Sequence, residues 1–321
     1  MAKKKALSRS GTSRRRTQNR GTRRGWRASG FAHPKTIQPE LAQAVGALEK
    51  ALGLPVFLLV QDLIHRPEML PYNVIGQEVS NLFYTERNRT LVRGQKVALL
   101  VDSYGGDARH AFQIANLFKR FSGGFTAVIP RHAKSAATLL VLGAERLIMT
   151  EFAELGPLDM QMESADREEM LSVLDEAQAL DRLNAFAMTA LDEVMLLLLR
   201  RTGMKVATLL PQVRELVTGM MRPLFESVDV VRLTQVSRIL KVTEEYARRL
   251  LIPRFEEEVA AEIARKLAEN YPEHGFVIYR DEAAQLGLCP ESPTKEQDDI
   301  LSRIIPMLAE KTILGRICEA I

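Results

Sequence analysis

Apolar positions fall along this chain in two rhythms. Four short, nearly unbroken apolar runs, Val56 to Val60, Val97 to Val101, Phe125 to Ile129 and Arg146 to Met149, have the length and continuity of strands buried on both faces. Between them the apolar residues recur three and four apart, the period of a helix with one buried side. This spacing predicts helices over Gln38 to Leu52, Val74 to Tyr84, Ala108 to Phe121 and Ser135 to Gly143. Pro39 and Glu40 suit the first turn of the first helix and Gly53 its end. Gly123-Gly124 ends the third. The polar stretches Asp62 to Pro71, which holds His65 and Arg66, and Glu86 to Thr90 read as loops. The strand-helix-strand order implies a parallel sheet with right-handed crossovers.

From Glu163 to about Ala268 the pattern is helical almost throughout. Ser164 to Leu199, Lys205 to Thr218, Thr234 to Leu251 and Glu256 to Asn270 are the predicted helices, with Thr243-Glu244-Glu245 capping a new turn. Methionines 188, 195, 204, 220 and 221 read as adaptable filler in a core or an interface. Helices placed here suit an oligomer contact or a lid. Pro290 to Gln297 reads as a linker and Asp298 to Ile321 as a terminal amphipathic helix.

Composition adds an asymmetry. The 321 residues are 46% hydrophobic, enough for a sizeable core. The formal net charge of +4 conceals a basic end: residues 1–27 hold 11 Lys or Arg and no acid, so the other 294 carry 33 basic and 40 acidic side chains. Such a segment buries too little to fold alone, and residues 1–36 are expected to be a disordered tail. Two readings of it stand: an arm for nucleic acid or another polyanion through residues 1–27, or a solvated tail. Cys289 and Cys318 make neither a metal spacing nor a disulfide framework. No apolar run reaches a membrane span, and no apolar region of a signal peptide follows the basic start. The expected location is the cytoplasm, and no metal or organic cofactor is implied. No Gly-x-x-x-x-Gly-Lys-Ser/Thr segment is present, so ATP dependence would come from a partner.

The candidate chemistry lies at two strand-to-helix turns. Val97 to Asp102 runs into Ser103-Tyr104-Gly105-Gly106-Asp107, and Ile129 runs through Pro130-Arg131-His132-Ala133-Lys134 to Ser135. Adjacent turns at the ends of parallel strands form the crevice in which α/β folds place ligands. Ser135 stands at a helix start, among backbone N–H groups with no helical partner. Gly105 and Gly106 admit close approach of a substrate, and their N–H groups with that of Ala136 suit a developing oxyanion. The plain alternative is a Ser N-cap beside a tight turn.

Four segments in order carry a resemblance: Asp102 to Asp107, Pro130 to Thr138, Leu142 to Met149 and Leu155 to Gln161. They look like the serial motifs of the serine dehydrogenase proteinase family, relatives of the Clp protease proteolytic subunit and signal peptide peptidase A. His274 to Leu288 resembles that family's closing segment. The resemblance implies an α/β ClpP/crotonase-like spiral of β-β-α units with a largely helical C-terminal half. The implied organisation is a core over 37–162, a helical insertion for oligomerisation over 163–270, and a segment over 271–321 that returns to the core. Membrane-anchored relatives exist in the clan, and their anchor has no counterpart here.

The resemblance also has departures. Clp-type relatives place a catalytic His about 25 residues after the Ser, where this chain has Asp159 and Met160. The family's His beside the Pro falls on Arg131, with His132 one residue later. Its Thr-Pro-Gly-Gly is here Ser103-Tyr104-Gly105-Gly106, the bulkier Tyr104 narrowing the groove, and its Met-Ser-Gly-Gly-Thr is Lys134-Ser135-Ala136-Ala137-Thr138. A Ser nucleophile needs a base within reach. Five groups are candidates: Lys205 and His274 first, then His132, Asp159 as an orienting group, and Lys134, whose adjacency to Ser135 makes it a poor base. The expected function is a serine peptidase-like hydrolase that cleaves peptide bonds in a homo-oligomer, with an extended peptide added beside Gly105-Gly106. Its rivals are an inactive ClpP-fold scaffold with a basic nucleic-acid arm, and a crotonase-like acyl-CoA enzyme.

Overall fold

The computed structural model describes residues 26–29, 37–62, 71–158, 161–163 and 170–319. The elements run β1 (Trp26–Ser29), α1 (Pro39–Leu52), β2 (Val56–Val60), α2 (Gln77–Thr90), β3 (Val97–Asp102), α3 (Ala108–Phe121), β4 (Phe125–Ile129), β5 (His132–Ala133), α4 (Ala136–Leu142), β6 (Arg146–Met149) and β7 (Glu154–Leu155). Then follow β8 (Gln161–Glu163), β9 (Met170–Ser172), α5 (Val173–Thr202), α6 (Val206–Glu226), α7 (Val230–Leu251), α8 (Glu257–Glu269), β10 (Ile278–Tyr279), α9 (Arg280–Gln285), α10 (Lys295–Leu308) and β11 (Ile313–Glu319).

The main sheet has the order β1-β11-β2-β3-β4-β6. Strands β2, β3, β4 and β6 are parallel, and β11 and β1 add antiparallel at one edge. Alternate residues of the buried strands feed two cores, as the two-residue period of a strand requires. Phe57, Leu59, Val97, Leu99, Val101, Ala127 and Ile129 join a core with α2, α3, α4, α7 and α8. Val56, Leu58, Val60, Ala98, Leu100, Val128 and Ile148 face the other way, onto α1 and α10. This α/β sandwich brings the C-terminal ends of the parallel strands to one edge. There a small sheet, in the order β10-β7-β5, is added. Beyond the sheets, α5 and α6 pack around a separate core of Met195, Leu209, Val213, Val217 and Met221.

Several boundaries differ from the sequence reading. Helix α2 starts at Gln77, because Ile75 forms a bridge with Gly106, and it continues through Glu86 to Thr90. Glu86 is buried there, and Thr90 Oγ1 donates to its carbonyl, so the polar stretch is a helix end and not a loop. Residues 164–172, expected within a helix, include β9. Thr243 lies inside α7 and its hydroxyl donates to Ile239 O, so it caps nothing. The expected terminal helix is α10 followed by β11: Glu310 turns the chain at φ +58, and Ile313-Leu314 then buries against β2. Residues 26–29, expected in the disordered tail, form β1 and pair with β11, which would otherwise be an open edge. Residues 1–25, His65 and Arg66 lie outside the described residues. Among the described residues no helix is long and apolar enough to cross a membrane, and no cluster of metal-ligating side chains occurs.

Candidate active site

Strand β3 ends at Asp102 and the chain turns through Ser103 to Gly106. The turn is tied on three sides. Ser103 N donates to His132 O at 3.0 Å, and Lys134 N donates to Ser103 O at 2.9 Å, joining it to the serine segment. Ser103 Oγ donates to Gln61 Oε1 at 2.7 Å and accepts from Gly105 N at 3.0 Å. Ile75 N donates to Gly105 O at 2.8 Å, and Asp107 N donates to Ile75 O at 2.7 Å. The two glycines have φ of +105 and +145, which L side chains adopt only under strain. Space is equally restrictive: a Cβ on Gly105 would stand 2.6 Å from Lys134 O and 2.9 Å from Ala136 N, and one on Gly106 2.3 Å from Ile75 O. The Gly turn and the serine turn are in direct contact.

Ser135 links β5 to α4 with φ 51 and ψ −119. This is a Gly-type conformation held by a residue with a side chain, a strain of about 1–3 kcal/mol. Its surroundings impose it. Ala137 N donates to Lys134 O and Leu139 N to Ser135 O, which fixes the start of α4. Thr138 Oγ1 lies 2.6 Å from Ala133 O and accepts from Gly156 N at 3.0 Å, clamping the turn to the loop after β7. A strained strand-to-helix turn of this kind presents its side chain outward, as nucleophile elbows do. The hydroxyl makes no capping bond, so the plain N-cap role is not the one Ser135 performs.

Each amide of the expected oxyanion hole has its own state. Gly105 N–H is engaged by Ser103 Oγ. Gly106 and Ala136 N–H have no hydrogen-bond acceptor among the described residues. The pair left uncommitted therefore comes one from each turn.

The structure sorts the five candidate bases. His132 is buried, and its Nε2 stands 3.2 Å from Oδ1 of the fully buried Asp102. Neither atom has a hydrogen-bond partner among the described residues, and a proton on Nε2 would complete the pair. Arg131 holds the other carboxylate oxygen, with Nη2 at 2.7 Å and Nε at 2.9 Å from Oδ2. The Tyr104 ring covers His132, with centroids 4.2 Å apart. Burial is the largest influence on the imidazole and lowers its pKa below the usual 6.5, against the opposing pull of Asp102. His132 is thus held neutral, the state a general base requires. Lys134 is turned away: its Nζ donates to Phe276 O at 3.2 Å and pairs with Glu154 at 3.3 Å. His274 is half-buried, two residues before that Phe276 carbonyl. Lys205 is exposed and stands at the N-cap position of α6 without a capping bond, beyond the far end of the 30-residue α5, about 45 Å along that helix. Asp159 lies outside the described residues.

Asp102 is the residue that sequence reasoning passed over. The signal was an acid ending an apolar strand, opposite an Arg-His dipeptide. Removing it with Asp102→Ala strands Arg131 and His132. We expect a loss of about 3 kcal/mol, the low end for a buried pair because Arg131 keeps some contact with water. Urea unfolding of the two proteins measures it, and a loss under about 1 kcal/mol contradicts the pairing.

Residues 62–190 match the family model described as ClpP-like SDH-type serine proteinase. Two uncharacterized proteins of Methanocaldococcus jannaschii are similar. One is 22% identical over 245 residues, covering 74% of this chain and 70% of the relative. The other is 24% identical over 233 residues, covering 70% of this chain and 64% of the relative, slightly under two thirds of its length. The matched stretch contains both turns and the strained serine. Residues 62–190 are thus similar to the ClpP-like SDH-type serine proteinases.

Proposed function

We propose that the protein is a serine hydrolase acting on peptide bonds, with Ser135 as nucleophile, Gly106 and Ala136 N–H as the oxyanion hole, and His132 oriented by Asp102 as the base. The observation that carries this is the strained, uncapped Ser135 beside two uncommitted amides from two different turns. With Nε2 facing the carboxylate, Nδ1 is the nitrogen left for the serine proton. As Oγ attacks the carbonyl carbon, its proton passes to His132 and the carbonyl oxygen takes the charge within reach of the two N–H groups. The same proton then goes to the leaving amine as the peptide C–N bond breaks. Water hydrolyses the acyl-enzyme by the reverse sequence and restores Ser135. His132 has a carboxylate partner, Asp102, suited to orient its imidazole. An extended substrate lying beside Gly105-Gly106 would present its scissile carbonyl to this site.

Labelling with a fluorophosphonate tests the proposal. Wild type is expected to be modified, and Ser135→Ala to be silent at equal folded concentration. Folded wild type that stays unlabelled in every assembly state sinks the hydrolase and favours the scaffold with a polyanion-binding basic segment over 1–27.

The base carries its own expectation. Because burial holds the His132 pKa low, kcat/KM stays level through neutral pH and declines only below the ordinary His value of 6.5. The linkage has the same sign: the unfolded chain binds this proton more readily, so stability falls as pH drops below that value. A pH–rate profile whose acid limb lies well above 6.5 excludes His132 in this state. His132→Gln is expected to remove the limb along with most of the rate.

A further inference from the structure

Helices α2, α3 and α7 lie side by side and point the same way. Ser80 Oγ meets His110 Nδ1 at 3.0 Å near the starts of α2 and α3, and at their ends the Arg87 guanidinium lies over the Phe121 ring, 5.0 Å from its centroid. Phe112 stacks on Tyr246 at 4.4 Å, and Lys119 Nζ donates to Leu250 O at 3.3 Å. The last turns of the three helices therefore gather at one end, bringing Arg87, Lys119, Arg120, Arg248 and Arg249 with them. Basic last turns offset the helix dipoles, about half a charge each. Here the charge goes further. Glu245 and Glu257 pair with Arg248 and Arg249, but Arg87, Lys119 and Arg120 have no carboxylate at ion-pair distance among the described residues. Three full charges against three half-charges leave this end positive.

A cavity of about 570 Å³ opens beside these cations, on the second half of α3, roughly 10–20 Å from the helix start next to the Gly turn. That volume suits a small ligand. Arg120 lines it with the rings of Tyr84, Phe112 and Phe121. The Arg87 guanidinium covers the Tyr84 ring at 3.6 Å from its centroid, yet Tyr84 is 55% exposed, which leaves ring surface for a second planar group. Arg87 Nε is buried with no hydrogen-bond partner among the described residues. Asn116 also lines the cavity, and its Nδ2 donates to Phe112 O, which leaves Oδ1 to accept. The matching occupant offers an anion to Arg120, a flat ring to the aromatic side chains and an N–H donor to Asn116. An acidic side chain supplies the first alone. A nucleoside phosphate supplies all three. We infer that this cavity is a binding site for a nucleoside monophosphate, with the phosphate on Arg120 and the base against Tyr84. The inference does not depend on the peptidase reading, because it uses no residue of the Ser135 site.

Calorimetric titration of the full chain with AMP, GMP, CMP and UMP tests it, with the matching nucleosides and inorganic phosphate as comparisons. At least one monophosphate is expected to bind about tenfold or more tightly than its nucleoside or inorganic phosphate, because one molecule then engages both halves of the site. Arg120→Glu sets a carboxylate against the phosphate and should weaken that monophosphate at least about tenfold. Tyr84→Ala should weaken the monophosphate and the nucleoside by about the same factor and leave inorganic phosphate unchanged. Both side chains are exposed, and far-UV circular dichroism confirms that the variants are folded. The basic segment 1–27 is the rival binder of anions. Salt-sensitive binding that Arg120→Glu leaves unchanged belongs to that segment and overturns the site. Inorganic phosphate that binds as tightly as every monophosphate overturns it too, as does the absence of saturable binding by all four at millimolar concentration.

Discussion

Replacing Ser135 with glycine is expected to abolish hydrolysis and at the same time make the protein more stable. The backbone there sits at φ 51 and ψ −119, a region open to glycine at little cost. Relief of that strain, about 1–3 kcal/mol, exceeds the roughly 0.5–1 kcal/mol that glycine loses through the flexibility of the unfolded chain. A net gain of about 1 kcal/mol follows, read as a raised urea midpoint. Ser135→Ala is the matched comparison. It keeps the strain and removes a hydroxyl that makes no capping bond, so its stability should stay close to wild type. With Ser135 as the proposed nucleophile, both variants should lose at least about 10³-fold in kcat/KM. Activity within tenfold of wild type in Ser135→Ala would exclude the nucleophile. A glycine variant less stable than the alanine variant would show that the turn is not strained.

Why the sequence announced this site, and not all of it, is a matter of range. The Gly pair and the Ser stand at the ends of strong apolar runs, and such ends are legible from local pattern. The same holds for β2, β3, β4, β6, α1 and α3, which match their predicted places because buried strands and amphipathic helices each write their period into consecutive residues. The Asp102–Arg131–His132 cluster was not legible, since its members sit 29 residues apart and meet only when β3 and β5 align. Nor was the engagement of Gly105 N–H by Ser103, which depends on one side-chain rotamer. Lys205 stood high as a base in sequence order, where distance is invisible; the fold carries it along α5, away from the helix's start at Val173. Strand β11 was missed for a related reason. The run Ile313 to Ile317 continues an apolar pattern that α10 began, and only the free edge of β2 makes it a strand.

The largest structural effect should come from a single methyl group at Gly106. Its Cβ would stand 2.3 Å from Ile75 O and 2.7 Å from Ile75 N, both backbone atoms of the segment bridged to this turn, at a φ of +145. No side chain can rotate out of the way, so either the Val74–Gly76 segment or the Gly turn must move. Either movement draws the Gly106 N–H away from Ser135. Gly106→Ala is therefore expected to cost about 2–4 kcal/mol of stability. It should also cost about 10²–10³ in kcat, the scale of losing one oxyanion donor. Gly53→Ala separates the two contributions to this effect. Gly53 also has a left-handed φ, +66, at the end of α1, but a Cβ there meets nothing within 4 Å. It should cost only about 1 kcal/mol in stability and leave the rate unchanged. If the amide holds charge that develops in the transition state, the loss in Gly106→Ala at folded concentrations falls on kcat more than on KM. A loss confined to KM would leave Gly106 a role in shaping the groove and would remove it from the oxyanion hole.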